Sequence, residues 1–160
     1  MLLYSIEIPC VLESLRVAAP FTDAVLHELP DVPERDRLIH DLALVSSEAL
    51  TNALRHGEHA GASVSLTYTI CSDKIMITIT DHGAGFDPDT VDLPDFDECP
   101  EGGYGIYIMK TIMDDMRYEK TTDGNNLILT KNWAVRRYAS FFHSKDAVSL
   151  LCNADPADQL

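Results

Sequence analysis

Ser63-Val64-Ser65-Leu66-Thr67-Tyr68-Thr69-Ile70, then Cys71-Ser72-Asp73, then Lys74-Ile75-Met76-Ile77-Thr78-Ile79-Thr80, is the stretch that decides the fold class. Apolar and polar residues alternate at a period of two in both runs, as in a strand with one buried face. Three residues between the runs leave no room for a crossover helix, so the two strands form an antiparallel hairpin.

Toward the N-terminus, Leu3 to Ile8 reads as a first strand and Glu13 to Leu29 as a helix that stops at Pro30. Pro33 opens a second helix, at the position where a missing N–H costs least. Its apolar residues Leu38, Leu42, Val45, Ala49, Leu50, Ala53 and Leu54 recur at helical steps, and Gly57 and Gly61 end it. Toward the C-terminus, His82 to Glu101 is rich in acids and proline and reads as a long, lid-like loop. A helix follows from Gly102. Met116 to Thr121 and Asn126 to Lys131 form a second hairpin around Asp123-Gly124, and Trp133 to Leu151 is a candidate final helix. Hairpins without regular crossovers predict an α+β two-layer sandwich: a mixed, mainly antiparallel sheet with helices on one face. Residues 1–132 are expected to form the domain, and 133–160 a helical extension packed on it or flanking it.

Length and composition fit one globular domain with a real core: 160 residues, 46% apolar and 24% charged. There is no membrane-length apolar run, and the stretch from Met1 to Ile8 lacks a basic leader and a long apolar segment, so no secretory signal is expected and the expected location is the cytoplasm. The formal charge of −14 disfavours nucleic acid and anionic lipid. It suits a basic protein partner, and equally serves solubility alone. Cys10, Cys71, Cys99 and Cys152 are too scattered for a disulfide framework or a zinc site.

Three clusters carry possible chemistry. Glu48, Asn52 and His56 stand at i, i+4 and i+8, and each step drifts only about 40° around a helix. They share one stripe bordering the apolar one. Glu48 can take a proton from a hydroxyl, and Asn52 can offer an amide oxygen to a hard cation such as Mg²⁺. The second cluster is Asp81-His82-Gly83-Ala84-Gly85. Asp81 sits where the strand's apolar alternation stops, with an acceptor for an exocyclic amine, and Gly83 and Gly85 permit close backbone approach. The third is Gly102-Gly103-Tyr104-Gly105 entering a helix, where free N–H groups favour an anion. Singly, these also fit a solvated stripe, an ordinary turn and a flexible helix entry.

In this order and spacing they resemble the N, G1 and G2 boxes of the histidine-kinase-like ATPases. The run Ser47-Glu48-Ala49-Leu50-Thr51-Asn52-Ala53-Leu54-Arg55-His56-Gly57 is most similar to the anti-sigma-factor serine kinases, bacterial partner-switching regulators. Gly103-Tyr104-Gly105-Ile106-Tyr107-Ile108-Met109-Lys110 and Met113-Asp114 resemble the same branch, and the likeness spans roughly residues 5 to 132. The resemblance implies an ATP and Mg²⁺ site. Asn52 would hold the metal, Glu48 would be the general base, and Asp81 with Gly83 and Gly85 would bind adenine. Gly103, Tyr104 and Gly105 would meet phosphate, and Thr130 would be a second adenine contact. Arg16 would face a protein partner. Implied partners are a small anti-sigma-factor antagonist, a sigma factor and a second copy of the chain.

The chain departs from the branch in having no Lys or Arg between Phe86 and Tyr104, where these kinases often place a basic lid residue. This keeps open a nucleotide-gated binding module with little or no catalysis. A sensor histidine kinase catalytic domain ranks last, since no dimerising helical hairpin with a phosphoacceptor histidine is legible.

Overall fold

The computed structural model describes residues 1–56, 62–85, 104–122 and 124–133. Along these run β1 (Leu2–Pro9), a single 3-10 turn (Leu12–Ser14), α1 (Leu15–Leu26), α2 (Arg35–His56), β2 (Ser63–Ile70), β3 (Lys74–Asp81), α3 (Tyr104–Ile112), β4 (Asp115–Thr121) and β5 (Gly124–Asn132). The sheet order is β1-β2-β3-β5-β4. All four pairings are antiparallel. The expected mixed character is therefore absent among the described residues. The physical reason is the position of β5: β3 and β4 run in the same direction, but β5 turns back and lies between them.

Period-two alternation sets the two faces. Leu66 lies opposite Ile79 and Tyr68 opposite Ile77, while Ile77 and Ile79 lie opposite Leu129 and Leu127. All six are essentially buried. The helices cover this face. α1 packs on β1 and α2, α2 on β2 and β3, and α3 on α2 and β4. From them Ala18, Leu26, Leu42, Val45, Leu50, Leu54, Ile106 and Met109 complete one core. Each fully buried Leu or Ile contributes roughly 1.5–3 kcal/mol. On the opposite face Thr67, Thr69, Thr78, Thr80 and Thr130 are half-buried. The predicted two-layer α+β sandwich with helices on one face is the observed fold.

One buried polar contact crosses the layers. The Tyr68 hydroxyl lies 2.8 Å from Thr22 Oγ1 of α1. Ser46 Oγ of α2, also buried, donates to the Leu42 carbonyl at 2.7 Å. Burial pushes the Tyr68 phenol above its ordinary value of 10.0, against hydrogen bonds with Ser46 and Thr22 that lower it.

The starts of α1 and α2 differ from expectation. Glu13 belongs to the 3-10 turn, and α1 begins at Leu15. Pro33 does not open α2, because Glu34 takes a left-handed φ of 54° and the helix starts at Arg35. Arg35 then ties the two helices together, donating to the carbonyls of His27 at 2.6 Å and Leu29 at 3.2 Å, just past the end of α1. At the far edge, Asp114 clips the α3–β4 corner to β5. It accepts from Lys131 Nζ at 2.9 Å and from the Asn132 backbone N–H at 2.7 Å. Trp133 stays with the sheet: its N–H donates to Asp73 O and its Nε1 to Ser72 O, both at 2.9 Å. Gly57 and Gly61, the loop from Phe86 to Glu101, and the extension from Ala134 onward lie outside the described residues. Among the described residues no helix is long and apolar enough to cross a membrane.

Candidate nucleotide site

The polar stripe forms on α2 as its spacing predicts. Glu48 and Asn52 are partly buried and His56 is exposed, while Ala49 and Ala53 beside them face the core. These two small side chains leave a gap between α2 and the sheet that larger residues would fill. The gap is a cleft lined by Ala49, Asn52, Ala53, His56, Ile79, Asp81, Gly85 and Leu127. Asn52 and Asp81, from different elements, thus share one cavity.

Gly105, the second residue of α3, completes the α2 side. A Cβ added there would lie 2.9 Å from Glu48 Oε2 and 3.3 Å from Asn52 Nδ2. A hydrogen at this position lets the first turn of α3, which starts at Tyr104, seat directly on the stripe. The start of α3, the positive end of its helix dipole, is therefore brought beside a carboxylate and an amide. Gly103 lies outside the described residues.

Asp81 ends β3 in phase with Ile75, Ile77 and Ile79, so its carboxyl turns toward the helices, and it is 9% exposed. Its Oδ1 accepts from the Gly83 N–H at 2.8 Å, an Asx turn that folds the loop back on the strand. Oδ1 also accepts from Asn125 Nδ2 at 3.0 Å, and the same nitrogen donates to the Gly83 carbonyl at 3.0 Å. Gly85 takes a φ of +74° and lies under the β4 side chains. A Cβ there would meet Tyr118 Oη at 2.5 Å, Asn125 Oδ1 at 2.9 Å and Lys120 Cε at 2.9 Å. Lys120 Nζ reaches the Ala84 carbonyl at 3.5 Å.

Not every expected residue arrives. Thr130 is half-buried on the other face of the sheet, out of phase with Leu127 and Leu129, and pairs with Met76 and Asp115. It stands five residues along β5 from Asn125, roughly 16 Å at about 3.3 Å per residue. Asn125 takes the late-strand position beside Asp81 instead. The sequence reading missed it because it began the strand at Asn126 and left Asn125 in the turn. Its phase with Leu127 and Leu129 was the available signal. Arg16 is exposed near the start of α1 and does not line the cleft.

No group of three or more His, Cys, Asp or Glu side chains able to hold a metal occurs among the described residues. The available donors are the Asn52 amide oxygen and the Glu48 carboxylate. So sparse a set fits Mg²⁺, which keeps several waters and takes further oxygens from substrate phosphates. It does not fit a metal held in an all-protein cage.

The fold is a two-layer α/β sandwich with a cleft between α2 and the sheet. A family profile, the histidine kinase-like ATPase domain, matches residues 8–131, and the chain belongs to that family. Among its relatives is the serine-protein kinase RsbW of Bacillus subtilis, 34% identical over 103 residues. That match covers 58% of this chain and 64% of the relative, so the chain spans less than two thirds of that protein's length. The serine/threonine-protein kinase BtrW of Bordetella bronchiseptica is 32% identical over 133 residues, covering 77% of this chain and 93% of the relative. The histidine kinase domain of an Erythrobacter litoralis blue-light activated histidine kinase shares 22% identity with a TM-score of 0.46, over 60% of this chain and 45% of that one.

Proposed function

We propose that the chain is a cytoplasmic, Mg²⁺-dependent protein serine/threonine kinase that binds ATP in the α2–α3–β3–β5 cleft and phosphorylates a small anti-sigma-factor antagonist. The seating of Gly105 against Glu48 and Asn52, with Asn52 and Asp81 in one cavity, is the observation that carries this reading. The names of the RsbW and BtrW relatives support serine/threonine as the acceptor type.

Each residue has a task set by its chemistry. Asp81 accepts the exocyclic amine of adenine, with Gly83 and Gly85 shaping that end of the cleft. The entry to α3, from Gly103 through Tyr104 to Gly105, offers backbone N–H groups to the phosphates. Asn52 holds Mg²⁺, whose chemistry when bound is to neutralise phosphate charge. Glu48 takes the proton from the acceptor hydroxyl as its oxygen bonds to the γ-phosphorus and the bond to ADP breaks. Phosphoryl transfer asks for positioning and charge neutralisation above all, and this arrangement supplies both. A sigma factor as second partner, contact through Arg16 and a homodimeric state belong to the same reading.

Incubating the protein with γ-labelled ATP, Mg²⁺ and the antagonist encoded nearest its gene tests this. Label on a serine or threonine of the antagonist, lost with Glu48→Gln, is expected. The lack of any Lys or Arg from Phe86 to Tyr104 favours a second reading, a nucleotide-gated binding module. Partner binding that needs ATP, persists in Glu48→Gln and comes with no label in the wild type selects it over the kinase.

A further inference from the structure

Behind Asp81, which lines the cleft, stands a residue whose geometry assigns it more than a packing role. Asn125 is 6% exposed and faces Asp81 across the β3–β5 pairing. Both groups its Nδ2 meets, Asp81 Oδ1 and the Gly83 carbonyl oxygen, are acceptors that only an N–H can satisfy. This forces the amide orientation: both of its donors are committed and its oxygen is turned toward Gly85. The consequence for Asp81 is asymmetric. The hydrogen bonds it accepts among the described residues both fall on Oδ1, which leaves Oδ2 for the cleft that Asp81 lines.

We propose that Asn125 is a positioning residue that saturates one carboxylate oxygen of Asp81 and presents the other to the base, so that the site selects 6-amino over 6-keto purine nucleotides. The inference rests on the nucleotide site proposed above and deepens it. With Oδ1 saturated, the carboxylate does not rotate between rotamers. The presented oxygen is an acceptor without a proton to give. An exocyclic amine donates to such an end, whereas a keto oxygen there meets only lone pairs. Sites built to hydrogen-bond one group reject the analogue lacking it, because their own polar atoms are then left unpaired.

ATP and ITP differ at the purine 6-position, amine against keto, and at the adjacent N1, a bare acceptor in ATP and an N–H in ITP, so their affinities measured by calorimetry in Mg²⁺ read this edge of the base. The proteins compared are wild type, Asn125→Leu, Asp81→Asn and the double variant, each checked by thermal melting. Wild type is expected to prefer ATP by at least about tenfold, the size of one hydrogen bond to a charged group. Asn125→Leu should weaken ATP by roughly tenfold while leaving ITP within about twofold, which shrinks the ratio. In the Asp81→Asn background it should add little, since a residue acting through Asp81 has nothing left to position. Should Asn125→Leu fail to fold, Asn125→Ala removes the same donors with less bulk. Equal weakening of ATP and ITP, no change in either, or an effect that simply adds to Asp81→Asn overturns the inference while leaving the nucleotide site standing. A wild type that binds both alike overturns this inference, and one that binds neither nucleotide overturns the site reading with it.

Discussion

Gly105 sits so close over Glu48 that a methyl group on its Cα would lie 2.9 Å from the Glu48 Oε2 atom. This contact joins the first turn of α3 to the polar stripe of α2, and it explains why a poor helix former stands inside a helix. Gly105→Ala separates the site from the fold. Alanine gains up to about 1 kcal/mol of helix propensity, which offsets the crowding of a carboxylate able to swing aside. Thermal stability should therefore change by less than about 1 kcal/mol. ATP affinity should fall on the order of tenfold or more, because the displaced carboxylate and the added methyl intrude on the phosphate path. Melting curves and calorimetry on the same sample check both halves.

Gly85 behaves differently because two constraints meet there. Its φ of +74° disfavours any side chain, and Tyr118 Oη, Asn125 Oδ1 and Lys120 Cε close the space above it. Gly85→Ala is expected to cost roughly 1–3 kcal/mol from the backbone strain, with the steric clash in addition. Chemical denaturation measures the loss. Truncating the crowding side chain in Gly85→Ala/Tyr118→Ala should make the second substitution milder than Tyr118→Ala alone predicts by addition.

The Tyr68 hydroxyl predicts an alkaline signature. Its folded value lies above the ordinary 10.0 because burial disfavours the phenolate, ahead of the opposing hydrogen bonds with Ser46 and Thr22. A raised value in the folded state means that stability is fully present below about pH 10 and is lost as pH climbs through the folded value. Tyr68→Phe should cost about 1 kcal/mol at neutral pH, since it leaves Thr22 Oγ1 without its 2.8 Å partner. It should also flatten the part of the alkaline stability loss that Tyr68 causes. Denaturation midpoints for both proteins from pH 8 upward test the sign.

Asp114 predicts the acid counterpart. Partial burial raises its carboxyl. The Asn132 backbone N–H, the Lys131 ammonium and the Asn132 side-chain amide outweigh that and hold it below the ordinary 3.8. Its stabilisation is thus present above that ordinary value and is lost as pH falls through the folded one. The group is 39% exposed, so solvent screens the Lys131 pair and the effect is modest. Asp114→Asn should lower the melting temperature at pH 7 and narrow its gap from wild type as pH drops toward 3.

Period-two patterning made the sheet legible, since β2 and β3 each expose one face to the core and cannot slip by one residue without inverting it. The α2 stripe was equally legible, because Glu48, Asn52 and His56 share a helical phase. What stayed hidden depends on contacts between elements distant in sequence. The insertion of β5 between β3 and β4 set the strand order, and no local pattern encodes it. Asn125 was hidden at a strand end, where turn and ladder look alike, and its role exists only once the register places it opposite Asp81. Thr130 misled for the complementary reason: its residue type fits a base contact, but the phase of Leu127 and Leu129 turns it to the other face. Pro33 suits a first helical turn, yet the left-handed backbone at Glu34 delays α2 by two residues.

Equilibrium ATP binding, measured with and without Mg²⁺ for the wild type, Asn52→Ala and Asp81→Asn, tests the shared cleft most directly. The cleft predicts Mg²⁺-enhanced binding in the wild type, loss of most of that enhancement in Asn52→Ala, and affinity weaker by about tenfold or more in Asp81→Asn with the Mg²⁺ response retained. Identical isotherms for the three folded proteins, or no binding by the wild type at millimolar ATP, would contradict it.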